Sequence, residues 1–221
     1  MSKLIVSLPY PSLAGNGNTS YQYVLSNDAR NRENSGFASL SELPKADATV
    51  LVVPARALSW HQVDLPKVPK ARLRAALDGL LEERLLDDTN ALALALSPEA
   101  RTGKAATAAW VAACDKAWLT TAVKVFDAAG CRITQVVPEF WPREDVQIVV
   151  SGTPEEAWIT RSDAQGVMTI PLRAGDTTGA LGALLADFPA ETPILAEPAV
   201  VALAESSLSH KIVLRQHAQG Q

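Results

Sequence analysis

A leucine repeat between residues 65 and 88, in the segment LPKVPKARLRAALDGLLEERLLDD, constrains the fold more than any other feature. Its leucines return with the period of about 3.6 residues that places side chains on one face of a helix. The repeat consists of Leu73, Leu77, Leu80, Leu81 and Leu85. Pro69 stands before it, where the first turn of a helix accepts a proline. We therefore predict an amphipathic helix from Pro69 to Leu86 that buries its leucine face.

The face opposite the leucines lacks the charged residues that run along an ordinary solvent-exposed helix face. It carries Ala71, Ala75, Gly79, Glu82 and Leu86, and the acidic residues Asp87 and Asp88 follow just beyond the helix end. Small side chains allow another backbone to approach closely, and acidic side chains attract a basic partner surface. We predict that these residues form a partner-binding surface. A homodimer contact and a merely solvated face remain alternatives, because alanine is also the best helix former.

Composition and charge exclude several classes of function. The 221 residues have a net charge of −4 and no basic stripe, which argues against nucleic acid as a partner. Only two cysteines, Cys114 and Cys131, and the lack of a signal peptide favour a reducing, cytoplasmic setting. No apolar run reaches the roughly 18 residues of a membrane span, so we expect the chain as given to be soluble. Its histidines, His61, His210 and His217, are too scattered to predict a metal site.

Strand and helix patterns alternate along the whole chain and predict a mixed α/β protein. Predicted strands span residues 3–8, 21–25, 49–53, 57–63, 90–96, 106–113, 131–137, 146–150, 157–161, 167–172, 194–196 and 211–214. Asp115 and Gly130 should cap the two ends of a second helix. Shorter helices are expected at residues 179–188, capped by Thr178, and at residues 199–205. Residues 14–18 predict a turn, residues 27–35 a polar loop, and residues 138–143 a crossover between lobes.

No constellation of residues predicts catalysis. Residues 15–17 (GNG) resemble the start of a phosphate cradle, but no helix follows them, so they favour a hairpin. Glu82 and Glu83 are adjacent and would point about 100° apart on a helix, which excludes a facing acid–base pair. Cys114 has no histidine nearby in the sequence. We predict no catalytic, cofactor-binding or metal-binding residue. A small enzyme with an unrecognised site is one alternative.

Several short segments follow one another in a characteristic order. They are VLVVP at residues 50–54, LP at 65–66, LLEERLLDD at 80–88, WVAACDKAWL at 110–119, AAGC at 128–131, VPE at 137–139 and IVLRQ at 212–216. This succession resembles the cytoplasmic domain of the type II secretion system protein L family. No single segment is specific, and the resemblance lies in the ordered set.

The resemblance implies an actin-like α/β fold built from ribonuclease H-like subdomains and related to pilus assembly protein M. It implies a first subdomain at residues 1–64, an inserted strand–helix–strand–strand subdomain at residues 65–137, and a second ribonuclease H-like subdomain at residues 138–214. Residues 215–221 would be a tail that leads to a membrane helix absent from this chain. The full-length protein would be a single-pass inner-membrane protein with this domain on the cytoplasmic face, and it would meet the membrane only through a segment after Gln221.

The resemblance also implies partners and a lost nucleotide site. In the family, this domain recruits the secretion ATPase, protein E, through the N-terminal domain of the ATPase. The parts of the protein outside this chain pair with protein M. ATP-binding actin relatives carry an Asp-x-Gly loop after the first strand of each lobe, but residues 6–9 (VSLP) and 149–153 (VVSGT) contain no aspartate. We therefore expect a scaffold without a cofactor; the alternative is an actin-like ATP-binding protein of the pilus-assembly type.

Overall fold

The computed structural model describes residues 1–10, 19–26, 32–98, 107–175 and 179–215. The predicted turn at residues 14–18, the first part of the predicted loop, the cap Thr178 and the end of the tail lie outside these ranges. The chain divides into two compact units, and the division falls between Glu139 and Phe140. The first unit contains a five-stranded and a three-stranded sheet, and the second contains another five-stranded sheet.

The strands and helices come in the following order. The strands are β1 (Lys3–Ser7), β2 (Ser20–Ser26), β3 (Arg32–Ser39), β4 (Ala48–Val53), β5 (Ser59–Leu65), β6 (Leu92–Leu96), β7 (Thr107–Asp115), β8 (Ile133–Pro138), β9 (Gln147–Gly152), β10 (Ala157–Asp163), β11 (Gly166–Leu172), β12 (Ile194–Ala196) and β13 (Ile212–Leu214). The helices are α1 (Leu73–Leu81), α2 (Lys116–Ala128), α3 (Ala180–Leu185) and α4 (Val201–Ser207). Each predicted strand overlaps one of these strands, and β3 is the strand that the sequence does not predict.

The first five-stranded sheet has the order β3-β2-β1-β4-β8. Strands β1, β2 and β3 pair antiparallel, whereas β4 and β8 run parallel to β1. Alternate residues of β1 and β4, such as Leu4, Val6 and Leu51, form a core with Phe126 of α2. The ring of Tyr21 meets that of Phe126 edge-on, with centroids 5.0 Å apart. In β1 this alternation is what the period of a half-buried strand requires, whereas the central strand β4 is buried on both faces.

Strand β3 corrects the predicted loop at residues 27–35. From Arg32 onward the chain pairs with β2, in a register that places Gly36 opposite Tyr23. The sequence of β3, RENSGFAS, is polar because β3 is an edge strand with little apolar surface to bury. Strand formation here depends on pairing with β2, which a local apolar pattern does not reveal.

The three-stranded sheet has the antiparallel order β5-β7-β6 and is covered by α1. Leu77 and Leu81 of α1 are buried against Val63, Leu65 and Val111, as expected from the leucine repeat. In addition, β5 pairs with β7 from its first residue, and β8 joins the five-stranded sheet. The three-stranded unit therefore spans β5 to β7, and these bounds differ from the predicted insert at residues 65–137.

The second five-stranded sheet has the order β11-β10-β9-β12-β13. Its first three strands pair antiparallel and its last two run parallel to β9. The strand order and the strand directions are thus the same as in the first five-stranded sheet. Strands β10 and β11, which overlap the predicted strands at residues 157–161 and 167–172, form a hairpin with Asp163 opposite Gly166. Helices α3 and α4 contribute Leu184 and Ala204 to the core on one face of this sheet.

Helix α2 begins and ends where its capping residues predict. The carboxylate of Asp115 accepts a hydrogen bond of 2.7 Å from the backbone N–H of Trp118. At the other end, Gly130 adopts a positive φ of 79°, the left-handed conformation that closes many helices. The cap prediction is confirmed at both ends because each cap depends on residues within a few positions of the helix end.

Candidate partner-binding surface

Helix α1 is shorter than the predicted helix from Pro69 to Leu86. A 3₁₀ turn, Lys70–Arg72, comes before it, and the α-helix itself covers Leu73–Leu81. The backbone N–H groups of Arg84 and Leu85 both donate to the carbonyl of Leu81, which closes the helix. Acidic residues follow at once, and negative charge at a helix C-terminus opposes the helix dipole. The leucine period was therefore correct for the buried face and wrong for the length of the helix.

The early helix end changes the position of Leu86. The side chain does not continue a helix face but stands in an irregular segment with a relative exposure of 106%, which is complete exposure. Two residues later, the carboxylate of Asp88 accepts a 2.8 Å hydrogen bond from the N–H of Asn90 and starts the 3₁₀ turn Thr89–Ala91. The chain between α1 and this turn consequently folds back beside the end of the helix.

A depression with a volume of about 580 Å³ lies between the end of α1 and this returning segment. It is lined by Asp78, Gly79, Glu82, Leu85, Leu86, Asp87, Asp88, Thr89 and Asn90. The structure thus brings together five of the predicted residues: Gly79, Glu82, Leu86, Asp87 and Asp88. Ala71 and Ala75 are exposed but do not line the depression. A β-carbon added to Gly79 would have no other atom within 4 Å, so the site is open.

The rim of the depression is acidic, although Arg74 neutralises one of its lining carboxylates, that of Asp78. Arg74 lies 2.9 Å from Asp78 and donates to the carbonyls of Thr89 and Leu92. Arg84 donates to the carbonyl of Gln62. Within the described part of the chain, Glu82, Glu83 and Asp87 form no ion pair. An exposed leucine beside uncompensated carboxylates suits a partner with both apolar and basic groups.

The turn after β9 belongs to the segment VVSGT at residues 149–153, where the family resemblance leads us to expect the second Asp-x-Gly loop. Gly152 has a φ of 105°, and a β-carbon there would lie 2.3 Å from the carbonyl oxygen of Glu156. The N–H of Gly152 donates to the carboxylate of Glu197 over 3.3 Å, and the N–H of Thr153 donates to the carbonyl of Glu156 over 3.3 Å. These two amides, which could otherwise face a phosphate, therefore have internal acceptors. Nothing in the sequence signals this role of Glu197, which lies 45 residues away from Gly152.

The two cysteines are free thiols with low acidity. Burial, together with the neighbouring carboxylate of Asp115, raises the pKa of Cys114 to about 11. Burial also raises the pKa of Cys131. Both groups are poor nucleophiles near neutral pH, since the thiolate is the reactive form. Among the described residues, no group of three or more His, Cys, Asp and Glu side chains is arranged to hold a metal ion.

The class of protein is defined by its sheets. Two five-stranded sheets have the same strand order, and the chain forms a separate three-stranded unit between β4 and β8 of the first sheet. The model of the type II secretion system protein L family matches residues 20–202. This match covers most of the chain, and the chain therefore belongs to the type II secretion system protein L family. No helix in the described ranges has the length and apolar character needed to cross a membrane.

Solved structures show the same fold. The cytoplasmic domain of EpsL, an inner-membrane component of the type II secretion system of Vibrio cholerae, superposes with a TM-score of 0.63 at 17% identity, over 100% of this chain and 88% of that one. The PilM–PilN type IV pilus biogenesis complex matches with a TM-score of 0.60 at 12% identity, over 96% of this chain and 88% of that chain. The expected family and the actin-like α/β fold are thereby confirmed. Comparison with curated proteins finds no match.

Proposed function

We propose that the chain is a cytoplasmic scaffold domain that recruits the secretion ATPase, protein E, to the inner-membrane platform of a type II secretion system. The observation that carries the proposal is the family match over residues 20–202. The chain also has the fold of the cytoplasmic domain of EpsL, an inner-membrane component of such a system. The domain would act at the cytoplasmic face of the inner membrane, and protein M would pair with parts of the protein outside this chain.

The ATPase would dock on the surface formed by Ala71, Ala75, Gly79, Glu82, Leu86, Asp87 and Asp88. Three features support this choice: the fully exposed Leu86, the depression of about 580 Å³, and the carboxylates of Glu82 and Asp87, which form no ion pair with the described residues. Opposite charge would steer a basic partner to this rim, and salt would weaken the attraction. A homodimer through the same surface is the competing use.

The subdomain assignment belongs to the same proposal. The two five-stranded sheets would be the cores of the ribonuclease H-like subdomains, since they share one strand order. The three-stranded unit from β5 to β7 would be the inserted subdomain that carries the docking surface on α1 and the segment after it. We propose these sheet-based bounds in place of residues 65 and 137.

The second candidate, an actin-like ATP-binding protein of the pilus-assembly type, is favoured by the fold similarity to PilM. The turn after β9 argues against it because the N–H of Gly152 has the carboxylate of Glu197 as its acceptor. A carboxylate at this amide would repel the negative charge of a phosphate. In the first lobe, Pro9 supplies no amide donor. Calorimetric titration with ATP and Mg²⁺ separates the candidates, and tight binding would support the second.

Recruitment itself is tested by calorimetric titration of the chain with the isolated N-terminal domain of protein E from the same secretion system. The scaffold proposal expects saturable binding that weakens as the salt concentration rises, because the rim is acidic. Failure to bind, with both proteins shown to be folded by circular dichroism, would contradict recruitment. Sedimentation of the chain alone, over a range of concentrations, would reveal a homodimer.

A further inference from the structure

Three residues stand in a row at the carboxyl ends of three neighbouring parallel strands. Arg215 is the first residue after β13, Glu197 is the first after β12, and Gly152 is the last residue of β9. We name this set the carboxyl-end relay. It lies within the second unit of the chain.

A backbone hydrogen bond and a side-chain contact join each pair of neighbouring strands in the relay. The N–H of Arg215 donates to the carbonyl of Ala196 over 2.7 Å, and its Nη1 lies 3.4 Å from Oε1 of Glu197. The N–H of Glu197 donates to the carbonyl of Val150 over 2.9 Å, and its Oε2 accepts the N–H of Gly152 over 3.3 Å. A displacement of β13 therefore acts on β12 and, through Glu197, on the end of β9.

The environment of the relay strengthens these contacts. The side chains of Arg215 and Glu197 are only 18% and 19% exposed, so water screens their attraction less than at an open surface. The guanidinium of Arg215 also lies over the ring of Phe140, 5.5 Å from its centroid. Phe140 is the first residue of the second unit. Arg215 thus connects the last strand both to the turn after β9 and to the start of the unit.

The turn at the far end of the relay has little freedom to adjust. Gly152 has a φ of 105°, and a β-carbon there would lie 2.3 Å from the carbonyl oxygen of Glu156, so only glycine fits. The orientation of its N–H is consequently fixed by the backbone. A carboxylate that moved away from this N–H would leave it without its acceptor.

We propose that the carboxyl-end relay is a conformational coupling device, through which the chain that leaves β13 controls the hydrogen bond that ties the turn between β9 and β10 to β12. Binding or tension on the residues that follow Arg215 would pull its guanidinium away from Glu197 and release the N–H of Gly152. The coupling is independent of the docking surface on α1 and of any role of the ATPase, because every contact in it lies within the second unit.

Hydrogen exchange at the amide of Gly152, resolved by NMR in the whole chain, tests the proposal. Arg215→Gln and Glu197→Gln should each raise the exchange rate of this amide about tenfold, because each weakens the charge-assisted hydrogen bond at Gly152. Arg173→Gln and Glu205→Gln are matched controls, because both residues are exposed. The control variants should exchange at the parent rate.

The amide of Ile159, in the middle of β10, separates coupling from general loss of stability. Ile159 is fully buried, and its exchange should stay at the parent rate in both relay variants. The double variant should exchange at Gly152 no faster than Glu197→Gln alone, since Arg215 acts through Glu197. An unchanged rate at Gly152 in Arg215→Gln would overturn the proposal. An equal acceleration at Gly152 and Ile159 would also overturn it, because the arginine would then be merely structural.

Discussion

The Nε of Arg161 lies 2.5 Å from Oδ2 of Asp163, and the two side chains are only 11% and 8% exposed. The same guanidinium donates to Gln165, reaches the carbonyl of Leu184 at the end of α3, and stacks over the ring of Phe188 at 5.1 Å. This buried ion pair therefore joins the β10–β11 hairpin to the helix that covers the sheet.

Arg161→Ala should destabilise the second unit by about 3–5 kcal/mol, because it leaves the buried carboxylate of Asp163 without its cation. Urea denaturation followed by the fluorescence of the tryptophans measures the loss. Arg173→Ala, at an exposed position, serves as the control and should have a free energy of unfolding close to that of the parent. A similar effect of the two substitutions would show that the buried pair contributes nothing specific.

Two leucines of the same segment should respond in opposite ways to truncation. Leu81 is fully buried and Leu86 fully exposed. We expect Leu81→Ala to lower the free energy of unfolding by about 2–5 kcal/mol through the cavity it leaves. Leu86→Ala should change it by no more than about 0.5 kcal/mol. Thermal unfolding of both variants compares them directly, and a large loss for Leu86→Ala would mean that the segment after α1 is packed against the domain.

Gly79→Arg should block the proposed docking surface without unfolding the chain. The residue is exposed, a β-carbon there meets no atom within 4 Å, and glycine is a poor helix residue. We expect the variant to lose binding to the N-terminal domain of protein E, or to lose self-association, at nearly unchanged stability. Calorimetric titration and sedimentation measure the two interactions.

The matched control for that variant is Gly79→Ala. It adds one methyl group in open space and should leave binding close to the parent value, with stability raised by up to about 1 kcal/mol. If Gly79→Arg stays folded and both interactions survive, this face is not the partner surface, and the scaffold proposal would need another docking site.

The thiol of Cys114 should make the stability of the chain fall in alkali. Its pKa is raised from the ordinary value of 9.0 to about 11, so folding favours the neutral thiol. The unfolded chain loses this proton first as the pH rises. The stabilisation is therefore complete below pH 9 and is lost between pH 9 and about 11.

The change over this interval should be roughly 2–3 kcal/mol, because the pKa rises by about two units and one unit corresponds to about 1.4 kcal/mol. Urea denaturation of the parent and of Cys114→Ala at pH 8 and pH 10.5 gives the comparison. The alanine variant should lose less stability between the two pH values than the parent does. Equal losses in the two proteins would assign the alkaline effect to other groups.

The parts of the fold that sequence predicts are those determined by near neighbours in the chain. The caps Asp115 and Gly130 fix α2 locally, and the leucine period fixes the buried face of α1. Strand β3 escapes prediction because its polar residues become a strand only by pairing with β2. The early end of α1, where Arg84 and Leu85 donate to the carbonyl of Leu81, is not encoded in the leucine period.

The candidate surface was partly predictable for the same reason. Gly79, Glu82 and Leu86 lie within one short segment, so their grouping follows from local spacing. The hydrogen bonds of Arg74 and Arg84 to distant carbonyls do not follow from local spacing. The contacts of the carboxyl-end relay are even harder to predict from neighbouring residues, since they join residues that are 18 and 45 positions apart.

The three-stranded unit leaves the first five-stranded sheet after β4, and α2 follows at its end, with Ser59 directly opposite Ala113. The chain therefore enters and leaves the three-stranded unit at neighbouring positions, and β4 and β8 pair directly with each other. We expect a segment with this geometry to tolerate grafting: exchange of the stretch from β5 to β7 for that of a relative, or its replacement by a short bridge, should leave the path of the host sheet the same. If the proposed docking surface on α1 is correct, exchanging this one segment between relatives would change the partner, and recombination between genes could do the same.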